Sequence, residues 1–187
     1  MANPDRPSGF RPIKHTSGSS VTGQIRAIGV TDAVDLFVVD MLNLESGLAA
    51  IGATNDAAFL GVAVGFGKVD AMTGSIGSAL VNPENLNQIY YDDSASTHTD
   101  YVVFYVPAQD MIFEVQSNAD LDLVVGSPCD LINTAGSTAT GRSLQEVGTN
   151  TNSDFVVVEI PDYVDNDSTL TNTRYWVQVT TAETAFA

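Results

Sequence analysis

The chain has 187 residues and a formal net charge of −16, and its hydrophobic content of 44% excludes disorder over most of its length. A single cysteine excludes an intramolecular disulfide framework and a metal site built on paired cysteines. Residues 1–20 lack the apolar segment of a secretory signal, and no stretch approaches the roughly 18 apolar residues of a membrane span, so we expect a protein made in a cytoplasm, with no membrane partner.

Charge is distributed unevenly along the chain. The first 26 residues carry four basic side chains against one acid and sum to +3, whereas the remaining residues carry three basic side chains against 22 carboxylates and sum to −19. Binding of nucleic-acid phosphates normally requires a concentrated basic surface. The acidic body therefore argues against direct contact with DNA or RNA.

The first twenty residues have no helical or alternating apolar period, and three of them are prolines. This pattern predicts an extended N-terminal arm, residues 1–20, that lies on another surface, followed by a β-barrel domain of residues 21–187. Arginine and aromatic residues are favoured at interfaces. The candidate anchors of the arm are Arg6, Phe10, Arg11 and Lys14.

Past the arm, short runs rich in Val, Ile, Phe and Tyr are separated by clusters of Gly, Asn, Asp, Ser and Thr, a pattern typical of strands and turns. It predicts an all-β fold with no long helix. The fold is either an antiparallel barrel, in which closure removes unpaired edges, or a compact two-sheet sandwich. The predicted strands are Gln24–Val30, Leu36–Val39, Leu48–Ile51, Phe59–Phe66, Gln88–Tyr91, Tyr101–Val106, Met111–Gln116, Pro128–Leu131, Ser143–Val147, Phe155–Ile160 and Arg174–Val179.

Local signals also predict individual connections. The turn-forming tetrapeptide Pro107–Asp110 joins two strands rich in β-branched and aromatic residues, Tyr101–Val106 and Met111–Gln116, and predicts a hairpin. Asn118–Val125 predicts one helical turn with an asparagine cap, with a further strand as the alternative. The glycine-spaced Gly61–Gly67 lacks the Lys-Ser/Thr of a phosphate loop and predicts a strand with a bulge or a close backbone approach.

Motifs for catalysis are missing, since the chain has no Gly-x-Ser-x-Gly elbow and no His-Glu-x-x-His sequence. The acidic segment Asp162–Ser168 offers the oxygen ligands that calcium prefers, but its spacing does not match an EF-hand, and we expect a solvated loop. Asp110, Glu114, Asp154 and Glu159 are of the type that glycosidases pair, but on alternating strands such residues usually mark the solvent face. We therefore expect no enzyme, no metal and no cofactor.

One cation stands apart within the acidic body. Arg142 ends a glycine-containing loop that follows the polar segment Asn133–Thr140. An isolated arginine among acids either forms a local ion pair or grips a carboxylate of a neighbouring subunit in bidentate fashion. Arg142 is therefore a further candidate interface residue.

The opening Met1-Ala-Asn-Pro-Asp-Arg-Pro-Ser-Gly-Phe-Arg-Pro-Ile-Lys-His15 resembles the N-terminus of a group of small structural proteins of tailed bacteriophages, which carry Gly-Phe-Arg-Pro-x-Lys/Arg-His after a small polar stretch. Residues 113–121, 125–126 and 140–143 are loosely similar to the second half of such proteins, and the middle third is unmatched. The resemblance implies a head decoration, or cement, protein. Such a protein is β-rich and commonly trimeric, and it locks the outer capsid where capsomers meet.

Under this resemblance the expected partners are the major capsid protein and further copies of the chain, and the expected location is the outer surface of the virion. The arm would bind either the capsid protein or a sister subunit. A second hypothesis is a head fibre or spike module that binds a receptor or glycan, which requires Tyr90, Tyr91 and Tyr163 to be exposed and clustered. A third is an enzyme on a small trimeric β-barrel, such as a nucleotide hydrolase, and the missing metal and base motifs count against it.

Overall fold

The computed structural model describes residues 2–19, 21, 25–31, 34–54, 58–68, 89–92, 101–149, 151–180 and 184–185, and the statements below concern those residues. The structure is nearly all β, with 47% strands and 1% helix. Within the described ranges no helix is long and apolar enough to cross a membrane. The strands are β1 (Arg11–His15), β2 (Arg26–Gly29), β3 (Met41–Glu45), β4 (Leu48–Ile51), β5 (Phe59–Lys68), β6 (Tyr101–Pro107), β7 (Met111–Gln116), β8 (Pro128–Ile132), β9 (Glu146–Gly148), β10 (Phe155–Glu159) and β11 (Arg174–Val179).

These strands form two antiparallel sheets, with the order β1-β7-β11-β10-β8-β9 in one and β2-β6-β5-β3-β4 in the other. The all-β prediction is confirmed, and the architecture is sandwich-like and not a closed barrel. The five-stranded sheet curls so that its edge strands, β2 and β4, approach each other. They are joined by one bridge between Val30 and Ala49, where the Thr31 N–H donates to the Ala49 carbonyl at 2.9 Å. A single bridge is not a ladder, so this sheet stays open.

The main core lies between the two sheets and is centred on three phenylalanine rings. Phe155 stacks on Phe10 with 4.8 Å between ring centroids and on Phe59 with 5.4 Å. All three side chains are fully buried, and burial of one such ring contributes about 1.5–3 kcal/mol. A second core fills the curl of the five-stranded sheet around Phe66 and Tyr91.

The predicted hairpin between β6 and β7 is wrong. β6 pairs with β2 and β5, whereas β7 pairs with β1 and β11. The turn at Pro107–Asp110 therefore passes the chain from one sheet to the other. Both strands are buried along almost their whole length. Their backbone hydrogen bonds are made to strands that are mostly distant in sequence.

The helical turn predicted at Asn118–Val125 is also wrong. Backbone donors of this region bond to other strands: the Asn118 N–H donates to the Val147 carbonyl at 3.0 Å and the Gly126 N–H to the Val157 carbonyl at 2.8 Å. The segment ends in a tight turn at Gly126, whose φ is +92°. Tertiary hydrogen bonds thus replace the intrahelical ones that the asparagine cap predicted.

Most predicted strands are present, but two observed strands, β1 and β3, were not predicted. Leu36–Val39 is no strand and forms single bridges at Leu36 and Val38. Gln24 and Gln88, the first residues of two predicted strands, lie outside the described residues. The described part of Gln88–Tyr91 is no strand and forms a single bridge, from Tyr91 to Leu36. The prediction for Gly61–Gly67 is confirmed, because β5 shifts register between Ala63 and Gly65 and a Cβ at Gly61 would collide with the Val106 carbonyl.

The N-terminal segment runs extended, but it lies on its own chain. β1 is a strand at the edge of the six-stranded sheet, Phe10 is in the main core, and the Phe10 N–H donates to the Val39 carbonyl at 2.9 Å. Further towards the terminus, the Asn3 side-chain amide donates to the carbonyls of Asp167 at 2.8 Å and Thr171 at 3.0 Å. A projecting arm is therefore not confirmed.

Candidate functional site

A row of charged and aromatic side chains crosses the outer face of the six-stranded sheet. The strand registers place Arg11 of β1 opposite Glu114 of β7, Glu114 opposite Trp176 of β11, and Trp176 opposite Glu159 of β10. Alternate residues of a strand point to the same face, which puts this row on the side away from the core. The alternation along β11 agrees, since the residues on either side of Trp176 are buried.

Glu114 is the centre of this row. Its residue is only 7% exposed. Oε1 accepts a hydrogen bond from the Arg11 guanidinium at 2.5 Å, and Oε2 accepts from the Tyr163 hydroxyl at 2.8 Å and from the Trp176 indole N–H at 3.1 Å. Charge and donors thus replace water around this buried carboxylate and satisfy both of its oxygens.

Two further cations lie over the aromatic rings of the same face. The Lys14 Nζ is 4.6 Å from the centre of the Trp176 ring and 3.6 Å from a Glu159 oxygen. The Arg174 guanidinium lies 4.5 Å from the centre of the Tyr163 ring and forms an ion pair with Asp165. Cation–π contacts and ion pairs together hold these side chains flat against the sheet.

The tyrosine at this face is held in its neutral form. The hydrogen bond to Glu114 is the largest cause that raises the pKa of Tyr163, because a phenolate there would face a carboxylate. Asn166 fixes the loop that carries this tyrosine: its side-chain amide donates to the carbonyls of Pro161 and Arg174, each at 3.0 Å, and its oxygen accepts from the Arg174 N–H at 2.7 Å.

Arg6 completes the face from the N-terminal segment. Its backbone N–H donates to the side-chain oxygen of Gln116 at 3.1 Å, and the residue lines a hollow of about 190 Å³ together with Arg11 and Arg174. The guanidinium of Arg6 has no ion-pair partner in the described part of the chain. We use the name Glu114 face for the set formed by Arg6, Arg11, Lys14, Glu114, Tyr163, Arg174 and Trp176.

The structure brings three of the five predicted interface residues together. Arg6, Arg11 and Lys14 all lie on the Glu114 face, and whether they contact another protein stays a prediction. Phe10 needs a correction as an exposed anchor, because its side chain is 0% exposed and fills the core. Arg142 is exposed but lies apart from the face, in a loop that bridges to Val38 and Ser137.

Arg174 was not a predicted interface residue, although a signal for it exists in the sequence. The run Arg174–Val179 alternates between buried apolar residues and half-buried polar or amphipathic ones, so its first residue shares a face with Trp176. The register that sets Arg174 opposite Gln116 of β7 cannot be derived from such a run alone.

The acidic residues considered for catalysis or ion binding do not converge. Asp154 is fully buried and accepts from the Leu131 N–H at 2.9 Å, while Glu114 and Glu159 each pair with a cation. In Asp162–Asp167, Asp165 pairs with Arg174, and the pKa of Asp167 is lowered by hydrogen bonds from Thr169. Among the described residues no group of three or more His, Cys, Asp or Glu side chains is arranged to hold a metal ion.

Two other buried groups belong to the packing. Burial raises the pKa of the Cys129 thiol to about 12, so a thiolate nucleophile is absent at neutral pH. Asp40 is 0% exposed, and burial raises its pKa to about 7 although hydrogen bonds from Ser143 and from the Phe37 backbone act in the opposite direction. Asp40 follows Val39, which has φ +66°, an uncommon conformation for a β-branched residue.

The three tyrosines required for a receptor- or glycan-binding module are not clustered. Tyr91 is 0% exposed in the second core, and Tyr90 stacks on Phe37 with 5.0 Å between ring centroids. Tyr163 lies on the Glu114 face of the other sheet, beneath the Arg174 guanidinium. These positions count against a shared aromatic platform.

Comparison with known proteins gives no further identification. No family model matches the chain. No curated protein and no solved structure matches it either.

Proposed function

We propose that this protein is a structural component of a tailed-phage virion, a decoration protein that binds the outer surface of the capsid and stabilises the shell without catalytic turnover. The proposed partner is the major capsid protein, and the proposed assembly on the capsid is a homotrimer. The observation that carries the proposal is the Glu114 face, because it gathers four of the chain's seven basic residues on one sheet of a protein with a net charge of −16.

The N-terminal resemblance and the Glu114 face support each other. The stretch that resembles phage decoration proteins, residues 1–15, is the stretch that supplies Arg6, Arg11 and Lys14 to the face. A sequence pattern of this kind has no chemistry of its own. The pattern contains both the core residue Phe10 and the surface cations, which is the combination that a segment with one packed side and one binding side requires.

The mode of binding follows from this geometry. A free arm loses conformational entropy when it is ordered on a partner, whereas side chains already held by ion pairs and ring contacts lose less. Binding through several symmetric copies adds avidity. The acidic remainder of the surface keeps separate particles apart. We therefore propose that the protein docks through a preformed face and not through a flexible leader.

Co-sedimentation with purified undecorated heads tests the proposal. The intact protein should pellet with the heads in a saturable manner, should lose affinity as salt rises, and should raise the temperature at which the heads release DNA. Deletion of residues 2–18 is a poor test, because it also removes Phe10 from the core. Lys14→Glu is the preferred variant, with Arg26→Glu on β2 of the other sheet as its matched control.

Weaker pelleting of Lys14→Glu than of Arg26→Glu, with equal thermal unfolding of the two variants, supports docking through the Glu114 face. Failure of the intact protein to pellet with any undecorated tailed-phage head, at low as well as moderate salt, would contradict the proposed function itself.

A further inference from the structure

A small hollow opens at the Arg6 end of the Glu114 face. The N-terminal segment forms one wall, β7 forms the floor with Glu114 and Gln116, and Arg174 with Asp165 forms the other wall. Its volume is about 190 Å³, which suits a single side-chain group better than an extended polymer. Arg6 and Arg11 border it from the N-terminal side.

The hollow has more positive charge and more donors than its own acids use. Three arginines line it, against two acidic residues. Glu114 already uses both oxygens, and Asp165 is paired with Arg174. Each guanidinium has five N–H donors, and Arg6 has no acidic partner in the described ranges. The side chain of Arg11 is 59% exposed, so the donors that do not bond to Glu114 are accessible.

The walls of the hollow are held in place before any partner binds. The Arg6 N–H bonds to Gln116, and Asn3 fastens the start of the segment to the loop that precedes β11. Arg174 is fixed by its stacking on Tyr163. Such a site loses little side-chain entropy when it takes up a ligand, which favours tight and geometrically selective pairing.

An acidic side chain of another protein fits these observations better than a nucleic-acid backbone does. Guanidinium groups bind planar carboxylates through two parallel hydrogen bonds. A nucleic acid presents many phosphates in a row, and the chain outside its first 26 residues sums to −19 and repels such a polyanion. One carboxylate enters the hollow without bringing further negative charges near that surface.

We propose that this hollow is the binding site for an Asp or Glu side chain of the partner, with Arg6 as the residue that pairs with it. The identity of that partner as the capsid protein rests on the proposed function. The site itself rests on the surplus of guanidinium donors and does not depend on which protein supplies the carboxylate.

Carbodiimide coupling can test the contact directly. Arg6→Lys places a primary amine in the hollow, and the reagent joins an amine to a carboxylate in direct contact as an amide while it takes up the elements of water. Arg26→Lys is the matched control, an exposed position on β2 with no ion-pair partner in the described ranges. Mass spectrometry of cross-linked heads should identify a peptide containing position 6 joined to an acidic residue of the capsid protein, in the Arg6→Lys sample alone.

Binding strength gives a second measure. Arg6→Ala should weaken binding to heads roughly tenfold. The loss of one charge-assisted hydrogen-bonded pair raises the dissociation constant by about a factor of ten. Arg26→Ala should leave binding unchanged. Equal binding by Arg6→Ala and the intact protein overturns the proposed site. A cross-link from position 6 to a second copy of the chain overturns the assignment of the partner as the capsid protein.

A titration without heads separates the site from the function. Trp176, the one tryptophan of the chain, bonds to the same carboxylate as Arg11 and reports on the hollow by fluorescence. N-acetylglutamate methylamide, which carries a single carboxylate, should bind the intact protein and the Arg26→Glu variant but not the Arg6→Glu variant. If it does so while the protein does not bind heads, the site stands and the proposed function fails. If methyl phosphate binds as tightly, the assignment to a carboxylate is overturned.

Discussion

The N-terminal segment is flanked by two buried carboxylates that the fold holds in different ways. Glu114, on the outer side of β1, accepts hydrogen bonds from Arg11, Tyr163 and Trp176. Asp40, on the inner side, accepts from the Phe37 N–H at 2.7 Å, and its Oδ1 has no hydrogen-bond partner within the described residues. Glu114 lies in the row of charged side chains on the outer face, whereas Asp40 is fully buried next to Val39, whose carbonyl bonds to the N-terminal segment.

This difference shows that two buried acids can have very different surroundings. A cation and two donors replace water around Glu114. Among the described residues Asp40 forms no ion pair, so desolvation dominates and its pKa rises to about 7. A count of charges in the sequence treats the two residues alike, although only Glu114 lies in the row of charged side chains on the outer face.

The largest expected effect tests whether the N-terminal segment, which lies between Glu114 and Asp40 in space, packs on the core. Phe10→Ala removes a ring that stacks on Phe155 and leaves a cavity, so the free energy of unfolding should fall by about 3–5 kcal/mol. Urea unfolding measures it, with the smaller change Phe10→Leu as control. An unfolding curve identical to that of the intact protein would show that the segment does not pack on the core in solution.

Asp40→Asn should stabilise the protein, and only above mildly acidic pH. Because the folded-state pKa is raised from 3.8 to about 7, the folded protein binds a proton more tightly than the unfolded chain. The intact protein therefore loses stability as pH rises from about 4 to 7, and the loss stays constant above that range.

The amide cannot ionise, so at pH 8 the free energy of unfolding of the variant should exceed that of the intact protein by about 4 kcal/mol, and the difference should shrink towards zero near pH 4. Thermal unfolding followed at several pH values measures this gap. A gap that does not change with pH would mean that folding does not shift the pKa of Asp40.

The sequence predicts the class of fold because its signals are local. Short β-branched runs between polar turns gave several strands with the observed bounds, among them Met111–Gln116 and Arg174–Val179. Pairing is not local. The turn at Pro107–Asp110 was located, but its two strands enter different sheets because each finds partners far along the chain. β1 was missed because Ile13 is its one apolar residue and lies among a proline and charged residues.

The candidate site was predicted in part for the same reason. Segregation of charge identified Arg6, Arg11 and Lys14 without any structure. The acid that holds Arg11 is Glu114, 103 residues away, and no spacing rule connects the two. Arg174 reaches the face through the register of β11 on β7, which depends on the packing of the whole sheet.

Glu114→Gln sharpens the comparison with Asp40→Asn. The same change from acid to amide should lower the free energy of unfolding here, whereas it raises it at Asp40. The amide leaves Arg11 without its partner and offers a weaker acceptor to Tyr163 and Trp176. The free energy of unfolding at neutral pH should fall by about 1–2 kcal/mol, a value limited by the ability of the exposed arginine to regain water. Glu159→Gln, half exposed in the same row, is the control and should change stability by less than about 0.5 kcal/mol.

The smallest effect concerns the ring contacts of the Glu114 face. In Lys14→Gln the ammonium no longer lies over Trp176, and stability should fall by less than about 1 kcal/mol, since an exposed cation–π contact contributes little. The indole ring then loses the side chain that shields it, so acrylamide should quench its fluorescence more efficiently than in the intact protein. Arg26→Gln on the other sheet should leave quenching unchanged. Equal quenching in both variants would mean that Lys14 does not cover the indole ring. The Glu114 face would then not include Lys14.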